Sequence, residues 1–270
     1  MKICRKKIWL YTRIFIIIYC GVGIALYTFQ EDILFHPQKL NSNYQFKFNV
    51  PFEELTVPFN REDTLSMIKL FPKDSVRLGV VIYFHGNRKN VERFVPFAKI
   101  FTDNGYEVWI PDYPGYGKST GSITEDKLYE QAVQVQQMAA LKYPANKIII
   151  YGKSLGSGIA AYVASLTKNR LLILETPYYS IPDVFNAYSY IYPISKMIRY
   201  KLPTYEYLTE IEEPITVFAG GSDWIIPYRC ALKLKTYLKN SDEFIKIDAA
   251  GHNDLNLSPE YIAAMERILK

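Results

Sequence analysis

Hydrophobic and polar positions along most of this chain follow two alternating rhythms. Short runs rich in β-branched and aromatic residues, at 54–59, 65–71, 78–84, 106–110, 147–151, 171–174, 215–219 and 244–248, read as strands. The central ones are unbroken apolar runs, the pattern of strands buried on both faces. Between the third strand and the end, helical patterns fill 91–104, 125–143, 156–167, 228–239 and 258–269. This alternation predicts an α/β architecture: an eight-stranded, mostly parallel sheet with helices on both faces and its chemistry at the carboxyl ends of the strands.

Two stretches break the rhythm. Residues 176–213, between the sixth and seventh strands, are long and rich in Tyr, Ile and Pro. They read either as a cap over a substrate site or as a helical excursion whose aromatic residues pack as core. If the segment is a cap, Tyr178 and Tyr179 at its start are candidate substrate contacts. The other stretch is the beginning of the chain. An uncharged run from Ile14 to Phe29, extended by 8–12 and interrupted by Arg13, reaches the roughly 20 residues that a membrane-spanning helix needs. Lys2, Arg5, Lys6, Lys7 and Arg13 precede or begin it, and Glu31 and Asp32 follow. By the positive-inside rule the expectation is a single-pass anchor with a cytoplasmic N-terminus and the remaining domain outside the cytoplasmic face. A cleaved signal peptide has the same outline, but Ala25-Leu26-Tyr27 is a poor cleavage site, and Tyr19 is bulky for a lipoprotein site at Cys20. The expected organisation is an anchor over 1–30, a linker over 31–52 and one catalytic domain over 53–270.

Charge and cysteine content narrow the classes of function. The net charge of +5 is concentrated before residue 14, so the rest is near neutral and carries no stripe suited to nucleic acid. Three cysteines, two of them in or beside the apolar run, leave no internal disulfide and no metal-ligand spacing. No metal and no cofactor are expected, and oligomeric state is not legible.

The chemistry is concentrated in a few motifs. Gly152-Lys153-Ser154-Leu155-Gly156 follows the fifth strand and precedes a helix rich in small residues, the context of a nucleophile elbow. A serine hydroxyl needs a base, and the chain offers only His36, His85 and His252. His36 adjoins the apolar run and His85 ends the third strand, which leaves His252, on the loop after the last strand. The order Ser, acid, His then points to Asp223 in Gly220-Gly221-Ser222-Asp223, with Asp183, Asp242, Asp248 and Asp254 as alternatives. An oxyanion needs two donors: the amide of Leu155, after the nucleophile, and that of Asn87, with Gly86 giving room for the approach and contacting substrate. Arg88 and Lys89 stand beside that loop, either as solvated charge or as an attraction for an anionic group. Asp112-Tyr113-Pro114-Gly115-Tyr116-Gly117-Lys118-Ser119 lacks the spacing of a phosphate-binding loop and reads as structural.

Taken together these motifs resemble the α/β-hydrolase superfamily, and more narrowly the single-pass membrane-anchored branch that includes protein depalmitoylases and related bacterial hydrolases. The resemblance rests on Tyr83-Phe84-His85-Gly86-Asn87, the 112–119 loop, Gly152 to Gly156, Asp223 with Pro227, Gly251-His252, and Phe35 with Pro37 after the apolar run. It implies Ser154, Asp223 and His252 as a triad, and an ester or thioester substrate. Pro114, where an arginine is common, and Arg88-Lys89, where small residues are frequent, are departures that touch substrate preference. The expected substrate is a small-molecule or lipid-like acyl compound near a membrane. A peptidase, an acyltransferase using the same serine, and a catalytically silent binding protein are the alternatives.

Overall fold

The computed structural model describes residues 2–74, 77–188 and 190–270, with side chains from residue 6 onward. Ser189 of the expected cap and the side chains of Lys2, Cys4 and Arg5 lie outside the described residues.

Eight strands form one sheet: β1 (Phe52–Pro58), β2 (Thr64–Leu70), β3 (Gly79–Phe84), β4 (Tyr106–Pro111), β5 (Ile148–Lys153), β6 (Leu171–Glu175), β7 (Ile215–Gly220) and β8 (Glu243–Ile247). Their spatial order is β8-β7-β6-β5-β3-β4-β2-β1. β2 runs antiparallel to both β1 and β4, and every other pairing is parallel. The helices are α1 (Lys2–Thr28), α2 (Gln30–Leu34), α3 (Lys99–Asp103), α4 (Glu125–Ala140), α5 (Leu155–Leu166), α6 (Ile181–Tyr188), α7 (Ile194–Met197), α8 (Thr204–Leu208), α9 (Tyr228–Leu232) and α10 (Pro259–Leu269). Side chains alternate between faces along each strand. Val80, Ile82 and Phe84 of β3 therefore join one core with α4, α5 and the 176–213 segment, while Val81 and Tyr83 join the other with α3 and α10.

The expected helix over 91–104 is instead two 3-10 turns, Val91–Arg93 and Val95–Ala98, followed by α3. Pro96 has no N–H to donate, and the side chain of Asn90 accepts from the amide of Glu92, so the first turn closes on itself and the pieces stay separate. The expected helix over 228–239 likewise tightens after α9 into a 3-10 turn, Lys233–Tyr237.

Segment 176–213 is part buried and part exposed. Ile181, Ile194, Ile198, Leu202 and Leu208 are buried in the core shared with α5, whereas Tyr188, Tyr190 and Ile191 are exposed. It also reaches the first helix: Tyr192 stacks on Tyr19 with ring centroids 4.6 Å apart, and the Tyr19 hydroxyl donates to the carbonyl of Ile191. Residues Lys6–Thr28 of α1 form one helix long and apolar enough to cross a membrane, about 35 Å at 1.5 Å per residue. Residues 31–52, expected as a linker, are tied to the carboxyl edge of the sheet. His36–Pro37 pair in parallel with Arg88–Lys89, and the amide of Leu40 donates to the carbonyl of Gly117.

Ile150, in central β5 and fully buried, tests the packing. Ile150→Ala is expected to cost about 2–5 kcal/mol, read as a lower urea midpoint with an unchanged slope.

Candidate active site

The centre of the site is the turn from β5 into α5. Ser154 stands there at φ +53° and ψ −119°, a conformation that costs a non-glycine residue strain and persists only where the surroundings enforce it. They do so through close packing. A Cβ on Gly156 would lie 2.1 Å from the carbonyl oxygen of Phe84, and one on Gly152 would lie 2.5 Å from the carbonyl of Gly156. The Ser154 amide donates to the carbonyl of Glu175 at 2.9 Å, and its carbonyl accepts from both the amide and the hydroxyl of Ser157. Leu155 opens α5, so its N–H has no intrahelical acceptor and points with the helix's positive end toward Ser154.

Two loops from distant strands complete the constellation. His252 Nε2 lies 2.8 Å from Ser154 Oγ, and His252 Nδ1 lies 2.7 Å from Asp223 Oδ2. The other oxygen of Asp223 accepts from the amides of Ile225 and Ile226, each at 2.8 Å, so the carboxylate is oriented by its own turn. All three residues are buried. The alternative acids are engaged elsewhere: Asp183 with Lys233, Asp242 with the amides of Ile215 and Lys239, Asp248 with Lys246, and Asp254 with the amide of Gly251.

Gly86 runs close beside the serine; a Cβ on it would come 3.7 Å from Ser154 Cβ. The loop that carries Gly86 and Asn87 is clamped from three sides. Tyr113 donates its hydroxyl to the carbonyl of His85 at 2.6 Å, and Tyr116 donates to that of Asn87 at 2.7 Å. Asp112 Oδ1 accepts from the amide of Val91, and the Asn87 side chain donates to the carbonyl of Leu34. Here is the structural purpose of the 112–119 loop, a role that its sequence alone did not specify. His85 is fully buried beneath this loop, stacked on Phe94 at 4.8 Å.

A cleft of about 400 Å³ opens over Ser154 and His252 and includes Gly86 and Asn87. Tyr178 and Tyr179 do not line it. Tyr178 is buried and donates to the carbonyl of Leu155 from beneath α5, while Tyr179 stacks on Tyr205 at 4.1 Å, away from the cleft. The aromatic residues that do line it are Phe94, Tyr188 and Trp224; His36 and Arg93 line it as well. Sequence reasoning missed these, and only the exposed aromatic character of the cap hinted at Tyr188. A larger cavity of about 710 Å³, lined by Phe48, Phe71, Pro96 and charges of both signs, shares no residue with the cleft.

Comparisons with known proteins bear on the fold. The family profile described as serine aminopeptidase, S33, matches residues 76–207. The chain is 28% identical to protein bem46 of Schizosaccharomyces pombe over 224 residues, covering 75% of this chain and 72% of that one. It is 24% identical to alpha/beta hydrolase domain-containing protein 17C of Xenopus tropicalis over 198 residues, covering 70% and 61% respectively. The Pyrococcus furiosus esterase Pf2001 superposes with a TM-score of 0.66 at 17% identity, over 87% of this chain and 96% of that one. An alpha-beta hydrolase from Vibrio vulnificus does so at 0.67 and 19%, over 81% of each. The chain has the α/β-hydrolase fold and is similar in sequence to members of that superfamily.

Beneath the turn that carries Ser154 lies a buried ion pair. Lys153 Nζ donates to Glu175 Oε1, and Glu175 Oε2 accepts from the hydroxyls of Tyr151 and, at 2.8 Å, Tyr261. Burial alone would raise the Glu175 pKa, but the Lys153 charge and these donors outweigh it and hold the carboxyl below its usual range. Its stabilising contribution is therefore present above the ordinary glutamate value of about 4.3 and is lost as pH falls through the lower folded value.

Two outcomes follow for this scaffold. Glu175→Gln should cost roughly 3–5 kcal/mol near neutral pH by stranding the Lys153 ammonium, and should flatten the acid limb of stability against pH, read by thermal melting. Gly156→Ala should cost roughly 1–3 kcal/mol, because its methyl meets backbone rather than a yielding side chain, and should abolish covalent labelling of Ser154 by fluorophosphonate.

Proposed function

We propose that this chain is a membrane-anchored serine hydrolase that cleaves an ester or thioester bond of an apolar acyl substrate. The observation that carries the reading is the unbroken chain of hydrogen bonds from Asp223 through His252 to Ser154, ending on a serine held at a strained turn. His252 takes the proton of Ser154 Oγ as that oxygen attacks the acyl carbonyl, and Asp223 holds the ring in the tautomer that leaves Nε2 free to accept. The amides of Leu155 and Asn87 hold the oxyanion of the tetrahedral intermediate. His252 then passes the proton to the leaving group, and water releases the acyl group by the same steps in reverse. None of these steps calls for a cofactor.

The acyl group is assigned to the apolar residues of the cleft lining, Ile33, Tyr188, Trp224 and Ile225. Ile33 belongs to α2, directly after the helix that can cross a membrane, which favours a lipid-like substrate. Basic residues before that helix and acidic ones after it support a cytoplasmic N-terminus with the hydrolase domain on the other side. Peptidase activity of the aminopeptidase kind is disfavoured by electrostatics: among the described residues the cleft lining offers arginines and no carboxylate to a protonated amino terminus.

A fluorophosphonate probe should label the wild-type protein and not Ser154→Ala; a folded wild type that resists labelling ends the enzyme reading. Asp223→Asn should lower kcat on a p-nitrophenyl ester by about 10⁴ while leaving the fold intact, the effect expected when the imidazole loses its tautomer control. Across a chain-length series of such esters, kcat/KM should rise with acyl length, by up to about 0.8 kcal/mol of binding for each methylene buried.

A further inference from the structure

The lining of the cleft mixes two chemistries. Besides the apolar Ile33, Tyr188, Trp224 and Ile225 it includes Arg88, Arg93, His36 and Lys153, and among the described residues no aspartate or glutamate lines it. The Lys153 ammonium is neutralised by Glu175. The guanidinium groups of Arg88 and Arg93 have no hydrogen-bond or ion-pair partner among the described residues, and Glu92, the acid beside Arg93 in sequence, is turned toward Tyr44, whose hydroxyl donates to it at 2.7 Å. Arg88 is not on a free loop. His36 pairs with it in the short parallel ladder, and the carbonyls of its two neighbours, Asn87 and Lys89, accept from the amides of His36 and Gln38. The ladder fixes the Arg88 backbone one residue beyond Asn87, about 3.8 Å from Cα to Cα, so its guanidinium works within a side chain's length of the proposed oxyanion position.

From this arrangement we infer that Arg88 and Arg93 form a subsite for a phosphate carried by the leaving group of the acyl substrate. The inference rests on Ser154 acting as the hydrolytic nucleophile. An ester has two halves and the cleft lining two kinds of residue; with the acyl chain on the apolar residues, the leaving group is assigned to the arginines. Guanidinium groups present paired donors that match phosphate oxygens, and two of them complement a dianion better than a single carboxylate. The phosphate is bound, not cleaved. The scissile acyl C–O or C–S bond breaks, the oxygen of water ends on the released carboxylate, and the His252 proton goes to the leaving oxygen or sulfur. Two sources carry this chemistry, an acylated glycerol phosphate and an acyl thioester of a phosphorylated pantetheine.

The test uses the full-length protein in nonionic detergent and two matched pairs of short, monomeric substrates: hexanoylglycerol with hexanoylglycerol 3-phosphate, and S-hexanoylpantetheine with its 4′-phosphate. At low ionic strength the wild type should favour the phosphorylated member of at least one pair by tenfold or more in kcat/KM, and the pair that shows it identifies the source. That preference should shrink as salt is added. The ratio, which is insensitive to the folded fraction, should fall toward one in Arg88→Gln/Arg93→Gln and be partly retained in Arg88→Lys/Arg93→Lys. In the wild type alone, glycerol 3-phosphate or 4′-phosphopantetheine should slow fluorophosphonate labelling of Ser154 where glycerol or pantetheine does not. Ratios at or below one for both pairs, or a preference that survives the double glutamine variant, overturn the subsite while leaving the hydrolase reading standing. Absence of both hydrolysis and labelling overturns the hydrolase reading itself and the subsite with it.

Discussion

The constraint on which the rest of this molecule depends is the near-contact of two backbones at the β5–α5 turn. Gly156 packs against the Phe84 carbonyl with no space for a side chain, and this locks the end of β3 to the head of α5. Ser154 is driven into a left-handed conformation as a result, with its hydroxyl projecting beyond the sheet edge and the amide of Leu155 beside it. Because β3 continues directly into His85, Gly86 and Asn87, the same contact sets the distance between the serine and the loop proposed to hold the oxyanion. Catalytic geometry and strand packing are thus one structural fact, and a change to either disturbs both.

Around this point the fold is reinforced by buried polar groups. Tyr113 and Tyr116 secure the carbonyls of His85 and Asn87 and so fix the backbone of the loop between them. Lys153 and Glu175 join β5 to β6 one residue from the serine, with two tyrosine hydroxyls satisfying the remaining carboxylate oxygen. Such a buried pair adds little net stability compared with apolar residues of the same shape, but it admits few alternative arrangements. Asp223 follows the same logic, with one oxygen held by its own turn and the other given to His252.

The segment after the apolar helix is part of this support. Leu34 receives the Asn87 side chain, His36 and Gln38 pair with the strand-like stretch at Arg88–Lys89, and Ile33 enters the cleft wall. Segment 176–213 contributes Tyr188 to the cleft lining and Tyr192 to a stack on Tyr19 of α1. A helix long and apolar enough for a bilayer is therefore connected, through short contacts, to the loop beside Ser154.

The sequence by itself determined the sheet and the identity of the central motif. All eight strands lie within a few residues of where the apolar runs put them, because a strand's pattern is a local consequence of backbone period and burial. The elbow was legible for the same reason, since strand, glycines, serine and helix are contiguous. Helices at 91–104 and 228–239 were legible only as apolar segments; Pro96 and the Asn90 side chain, acting against the helical period, broke the first. What tertiary structure alone decided is the company that Ser154 keeps. His252 stands 98 positions away from it and Asp223 another 29 from His252, and chain order suggested these partners without giving their distances. The cleft lining was less legible still, because Ile33, His36, Arg93, Tyr188 and Trp224 come from segments far apart in the chain and carry no shared local pattern. Tyr178 and Tyr179, chosen for their position after a strand, turned into the packing instead: an aromatic ring follows the surface offered to it, and only the folded chain defines that surface.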